Sequence, residues 1–128
     1  MSSCWFLIGE LLVEFENFFI GDEIEAVVAG EGITRKVLAH GGNLMVCELH
    51  FKKGAVGKVH VHMHEQCSYI INGRFEMEIG GRKVVLGPGD STYKEPGVLH
   101  GGVCLEEGVL LDIFTPQRED FLFTKALR

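Results

Sequence analysis

The stretch FEMEIGGRKVVL, residues 75–86, decides the fold class. Two β-patterned runs flank Gly80 and Gly81, and a glycine-rich turn between such runs is a hairpin signal. The same grammar repeats outward in both directions. LMVCELHF (44–51), KVHVHMH (58–64), SYIIN (68–72), STYK (91–94), GVC (102–104) and VLLDIF (109–114) read as further strands. GGN, KKGAVG, NGR, GPGD, EPG and EEG read as the turns between them. Strands this short and evenly spaced predict an all-β, antiparallel sandwich or barrel. With 128 residues the chain is long enough for one domain with one sizeable core. Seventeen glycines against three prolines suit many tight turns better than a helical bundle.

Residues 1–30 read differently. Trp5, Ile8, Leu12, Phe15 and Phe19 recur at helical spacing, with Glu10, Glu14 and Asn17 on another face. The periodicity favours a helix; an edge strand is the other reading. An apolar segment at a chain end needs cover, which makes 1–30 a candidate dimer contact and 31–128 the barrel proper. The run CWFLIGELLV lacks a basic flank and is too short to cross a membrane, so neither a signal peptide nor a span is expected. The tail TPQREDFLFTKALR is expected to form a closing turn or short helix.

The formal charge is −6, with no lysine or arginine cluster, so no nucleic-acid partner is expected. An anionic substrate would have to be held by a few local cations. Four scattered cysteines without a C-x-x-C pair point to a reducing, cytoplasmic setting.

The chemistry concentrates in GKVHVHMHEQC, residues 57–67. Three of the six histidines fall within five residues. On an unbroken strand His60, His62 and His64 share one face, with Val59, Val61 and Met63 on the other. Imidazoles two residues apart can reach one ion, and imidazole suits zinc, copper, iron and nickel. The plain alternative is a solvated strand face. Cys47 and Cys67 are soft donors, but buried small apolar residues is the better reading of both.

The spacing resembles a known family. Gly54, His60, His62, Gln66 and Gly73 fall at the positions of the first cupin motif, with Gln where many cupins have Glu. Gly89, Gly97 and His100 fall at those of the second, with Glu95 where a proline is usual. The resemblance implies a conical jelly-roll barrel of antiparallel strands, with His60, His62, Gln66 and His100 as ligands of one divalent transition metal ion per subunit: nickel, zinc, iron or manganese. A three-His-plus-Gln set carries no anionic ligand, which leaves the ion a stronger Lewis acid than a carboxylate would. His64 then belongs at the mouth of the site, and Glu65 in the surroundings or in solvent.

The runs RKVLAHGGNLMVCELHFKKGAVGKVHVHMHEQ and GVLLDIFTPQREDFL resemble the pectin-degradation cupins, over about residues 32–122. That resemblance implies conversion of 4,5-unsaturated monouronates to linear keto sugars, with Asp112, Phe114 and Arg118 lining the site. It implies a small sugar acid as substrate, a homodimer, and Tyr69, Tyr93 and Lys94 as further candidate contacts. Read from the residues alone, Asp112 is a carboxylate in an apolar strand that needs a partner or a strand end in water. Phe114 is ordinary core, and Arg118 pairs with Glu119 or Asp120. A metal-dependent oxygenase and a non-catalytic ligand-binding cupin are the competing functions.

Overall fold

The computed structural model describes residues 3–8 and 11–123, with side chains from residue 15 onward. The hairpin that opens the sequence reading is present. Strand β7 (Glu65–Ile79) pairs antiparallel with β8 (Arg82–Leu86), from Ile79↔Arg82 to Phe75↔Leu86. Gly80 and Gly81 make the turn at φ +56° and +82°, a conformation that side chains with a Cβ rarely adopt.

The other long strand is β10 (His100–Thr115), which pairs antiparallel with β7 along its length. On its other side, β10 pairs with β6 (Val56–His60) near its start and with β5 (Leu44–Phe51) near its end. Beyond β5 lie β4 (Ile33–Gly41) and β3 (Val27–Gly30), while β9 (Ser91–Lys94) pairs with the first half of β7. Every pairing is antiparallel. The result is the jelly-roll barrel the sequence predicts. No helix among the described residues is long and apolar enough to cross a membrane.

Inward residues alternate along the strands, as a sheet with one buried face requires. Ile33, Ala55, Ile70, Phe75, Met77, Cys104 and Leu110 form one apolar cluster, and Met45, Cys47 and Phe114 a second. Phe75 and Phe51 meet edge-on, with centroids 5.2 Å apart. Truncating a buried ring such as Phe75 to alanine costs about 3–5 kcal/mol.

Three local expectations are corrected. NGR and EEG are not turns: β7 continues through 72–74 and β10 through 106–108, with an irregular register between them. Gly73 and Gly108 are there because the two backbones nearly touch, so that a Cβ on Gly108 would lie 2.2 Å from the Asn72 carbonyl. KVHVHMH is not one strand either. β6 ends at His60, and the chain bends at Met63–His64.

The third correction concerns the N-terminus, where the helical periodicity does not prevail. β1 (Ser3–Ile8) and β2 (Leu11–Glu16) pair antiparallel, closing at Ile8↔Leu11. Only Gly9 and Glu10 stand between two runs rich in aromatic and aliphatic residues, a hairpin spacing. The tail forms the expected short helix, α1 (Glu119–Leu122); the rest of that expectation, 124–128, lies outside the described residues.

Candidate metal centre

His60 closes β6, and its cross-strand partner in β10 is His100. His62 stands two residues past the strand end. The three imidazoles converge: ring centroids are 4.4 Å apart for His60–His100, 4.7 Å for His62–His100 and 5.6 Å for His60–His62. One potential ligand atom from each lies within 4.8 Å of the others, the one such group among the described residues.

Each ring is oriented by the backbone. Nδ1 of His60 donates to the Lys58 carbonyl at 2.8 Å, Nδ1 of His62 to the His64 carbonyl at 3.0 Å, and Nδ1 of His100 to the Val98 carbonyl at 3.0 Å. A carbonyl only accepts, so each Nδ1 carries the hydrogen and each neutral ring turns the lone pair of Nε2 to the centre. Burial pushes the His62 pKa down and takes that of His100 down to about 4, with the neighbouring histidines adding to both effects. Neutral imidazoles are what a metal ion requires.

Gln66 is buried and faces the same centre. Its Oε1 lies 2.9 Å from His62 Nε2. Its orientation follows from a chain of hydrogen bonds. Ser68 Oγ donates its one hydrogen to Asp112 Oδ1 at 2.5 Å. It must therefore accept from its other neighbours: Lys94 Nζ at 2.8 Å and Gln66 Nε2 at 3.3 Å. With the amide nitrogen held by Ser68, the amide oxygen is turned to the histidines.

The donor set fits a metal ion. His100 Nε2 is buried and has no hydrogen-bond partner, an arrangement that costs free energy unless a cation fills it. Gln66 Oε1 and His62 Nε2 are two lone pairs facing each other, which a shared cation reconciles. His60, His62, Gln66 and His100 are thus brought together as expected. His64 is not: its ring packs edge-on near His62 and Phe114, centroids 5.4 and 6.5 Å away.

Asp112 is almost fully buried and lines the same cavity as His60 and His100, so it does not cap a strand end in water. Phe114 is buried and meets His62 edge-on at 5.9 Å, serving the core and the site together. Arg118 lines the cavity too, but its Nε and Nη2 donate to Asp120 at 3.0 and 2.9 Å.

Alternation settles the remaining candidates. Gln66 and Ser68 face in, so Cys67 and Tyr69 face out; the exposure of Cys67 corrects its reading as a buried residue. Cys47 is buried, and burial together with Asp112 pushes its thiol up to about 12. Tyr93 is exposed and donates to Glu65 at 2.7 Å, which takes Tyr69, Tyr93 and Glu65 away from the site. Lys94 remains. It is buried, lines the cavity, and donates to Ser68 and, at 2.7 Å, to Thr92. Sequence reasoning missed Ser68 and Arg35, the latter a lining residue on β4. A serine or arginine in an alternating strand gives no signal of its own.

A cupin-domain family model matches residues 47–114, the span that carries His60, His62, Gln66 and His100. The chain belongs to the cupin family. It is 44% identical over 108 residues to pectin degradation protein KdgF of Dickeya dadantii, covering 83% of this chain and 98% of that protein. The structure superposes on an RmlC-like cupin from Shewanella frigidimarina with a TM-score of 0.80, at 42% identity over 84% of this chain and 96% of that one. It also superposes on KdgF from Halomonas sp., with a TM-score of 0.80 at 38% identity, covering 84% and 99%.

Proposed function

We propose that this cupin opens the ring of 4,5-unsaturated monouronates from pectin or alginate breakdown and converts them to linear keto sugars. The observation that carries the proposal is the 44% identity to a pectin degradation protein over nearly all of that protein's length. It is supported by a cavity whose lining brings a carboxylate and cations together with His60 and His100 of the histidine cluster.

The substrate class is a cyclic enol ether with a hemiacetal carbon and a carboxylate. A divalent transition metal ion held by His60, His62, Gln66 and His100 would supply Lewis-acid stabilisation of charge on substrate oxygen. In the reaction the bond from the hemiacetal carbon to the ring oxygen breaks, leaving an aldehyde and an enol. The enol then takes a proton at carbon and becomes a ketone. Asp112 moves these protons, and the reading is supported by its carboxylate being held by Ser68. Phe114 packs against the sugar and excludes water. Arg118 adds positive charge at the rim, where the Asp120 carboxylate sets its orientation. The chain acts as a cytoplasmic homodimer with one metal ion per subunit.

The test is loss of enol-ether absorbance when metal-loaded protein meets lyase-generated unsaturated galacturonate. Decay no faster than the spontaneous rate refutes the assignment. Oxygen uptake would place the protein among the oxygenases, and binding without turnover would make it a binding module. Asp112→Asn should slow turnover about 100-fold or more at unchanged metal content; full activity in that variant removes Asp112 from the mechanism.

A further inference from the structure

A charged side chain inside a barrel normally has a partner. Arg35 does not. Its Nε is buried without a hydrogen-bond partner, and no described residue forms an ion pair with it. Its guanidinium lies 3.6 Å from the centroid of the Phe121 ring, and Arg118 lies 4.1 Å from the same centroid. Two like charges therefore share one aromatic ring, and only one of them has a carboxylate.

The neighbouring acids are already engaged. Asp120 takes Nε and Nη2 of Arg118. Asp112 takes the Ser68 hydroxyl. Arg35 and Arg118 stand at Phe121, Lys94 lines the same cavity, and the carboxylates bonded within this group are Asp112 and Asp120: three cations against two anions in a chain whose formal charge is −6. Stacking on Phe121 fixes the plane of the Arg35 fork, which suits two-point binding of a carboxylate.

We infer that Arg35 is the carboxylate-binding residue of this cavity and selects sugar acids over neutral sugars. Arg118 stands beside it as a second charge with its own fork occupied. This inference rests on the uronate reading for the identity of the acid, but the anion site itself is read from the geometry. Burial lowers the Arg35 pKa and the charge of Arg118 adds to that, more than Cys47 and the carboxylates of Asp120 and Asp112 offset; an incoming anion acts in the opposite sense.

The experiment follows the atom that lacks a partner. Metal-loaded protein is titrated with galacturonate, formate and galactose while the Arg35 Nε–Hε resonance is monitored by NMR, with Arg35→Lys used to assign it. Galacturonate and formate should shift that resonance, and galactose should not. Arg35→Gln and Arg35→Lys should weaken galacturonate binding about 10- to 100-fold, the range expected for losing charge-assisted hydrogen bonds, with metal stoichiometry unchanged. A resonance that stays put at saturating galacturonate, or an Arg35→Gln variant that binds galacturonate as the wild type does, overturns the inference. Should Arg35→Gln fail to fold, Arg35→Lys and the wild-type titration still decide. A shifted resonance without turnover of the unsaturated uronate supports the anion site and refutes the proposed reaction. Turnover with an unshifted resonance does the reverse.

Discussion

Ser68→Ala tests whether one hydroxyl organises the site. Ser68 Oγ accepts from Lys94 at 2.8 Å and from Gln66 at 3.3 Å, and donates to Asp112 at 2.5 Å. Two of these bonds involve groups that carry charge, each worth about 1.5–3 kcal/mol, and the long amide bond adds about 0.5 kcal/mol. Lys94 keeps Thr92 as a partner, and water entering the cavity can replace part of what is lost. The net expectation is a loss of about 3 kcal/mol in urea unfolding of the metal-free protein. Gln66 also loses the contact that turns its oxygen to the histidines, so metal affinity in a calorimetric titration should fall about 10- to 100-fold. A double-mutant cycle with Asp112→Asn should show coupling of about 1–2 kcal/mol, because the two side chains share a hydrogen bond. Stability within about 0.5 kcal/mol of wild type, with unchanged metal affinity, would show the hydroxyl to be a bystander.

Four further predictions address other links. A divalent transition ion at 100 times its dissociation constant should stabilise the wild type by about 2.7 kcal/mol. His100→Ala, which removes the partnerless Nε2, should abolish that gain in a thermal melt. Iodoacetamide at pH 8 should modify exposed Cys67 and spare buried Cys47 and Cys104 in a peptide map; a modified Cys47 would contradict its thiol being held up at about 12. Burial lowers the Lys94 pKa below its ordinary 10.5, so as pH rises from the folded-state pKa through 10.5 the unfolded chain holds the extra proton and this group's contribution to stability increases. Unfolding free energies of wild type minus Lys94→Met should therefore climb across that window, and a flat difference would refute the assignment. Gly108→Ala, whose Cβ would meet the Asn72 carbonyl at 2.2 Å, should destabilise the protein by more than about 3 kcal/mol; a wild-type melting temperature would show that the crossing can open.

How far the sequence could be read depended on the range of the interaction behind each feature. LMVCELHF and STYK coincide with β5 and β9 at both ends, because alternation and flanking turns are local signals. The candidate metal ligands were legible through the resemblance of their spacing to the cupin motifs; alternation alone pointed only to His60, His62 and His64. Arg35 and Ser68 were not, and Lys94 was legible only as a candidate contact, without its partners. Ser68 acquires its role by standing opposite Asp112, and Lys94 by standing opposite Gln66, pairings between residues far apart in the chain. Asp112 was legible as an anomaly, a carboxylate among apolar neighbours, but not its partner. At the N-terminus the helical spacing of five apolar residues competed with a two-residue gap at Gly9–Glu10, and the pairing of two strands prevailed.

The misread NGR explains how one barrel presents both an apolar and a polar interior. Along β10 the inward positions keep one parity: His100, Cys104, Leu110, Asp112 and Phe114 are all buried. Along β7 they do not. Gln66, Ser68 and Ile70 face in before the glycine, Phe75 and Met77 after it. The register against β10 slips by one residue across the same place, between Cys104↔Phe75 and Leu110↔Ile70. From Cys104 to Leu110 β10 takes six steps while β7 takes five from Phe75 to Ile70, and Gly73, at φ +84°, lies within this irregular stretch where the two backbones touch. Without the slip, alternation would turn either Gln66 and Ser68 or Phe75 and Met77 outward. The first alternative removes a candidate metal ligand and the support of Asp112; the second removes two side chains of the apolar cluster. The close crossing that Gly73 and Gly108 permit is therefore where the register shifts, and that shift lets one strand serve the core at one end and the site at the other.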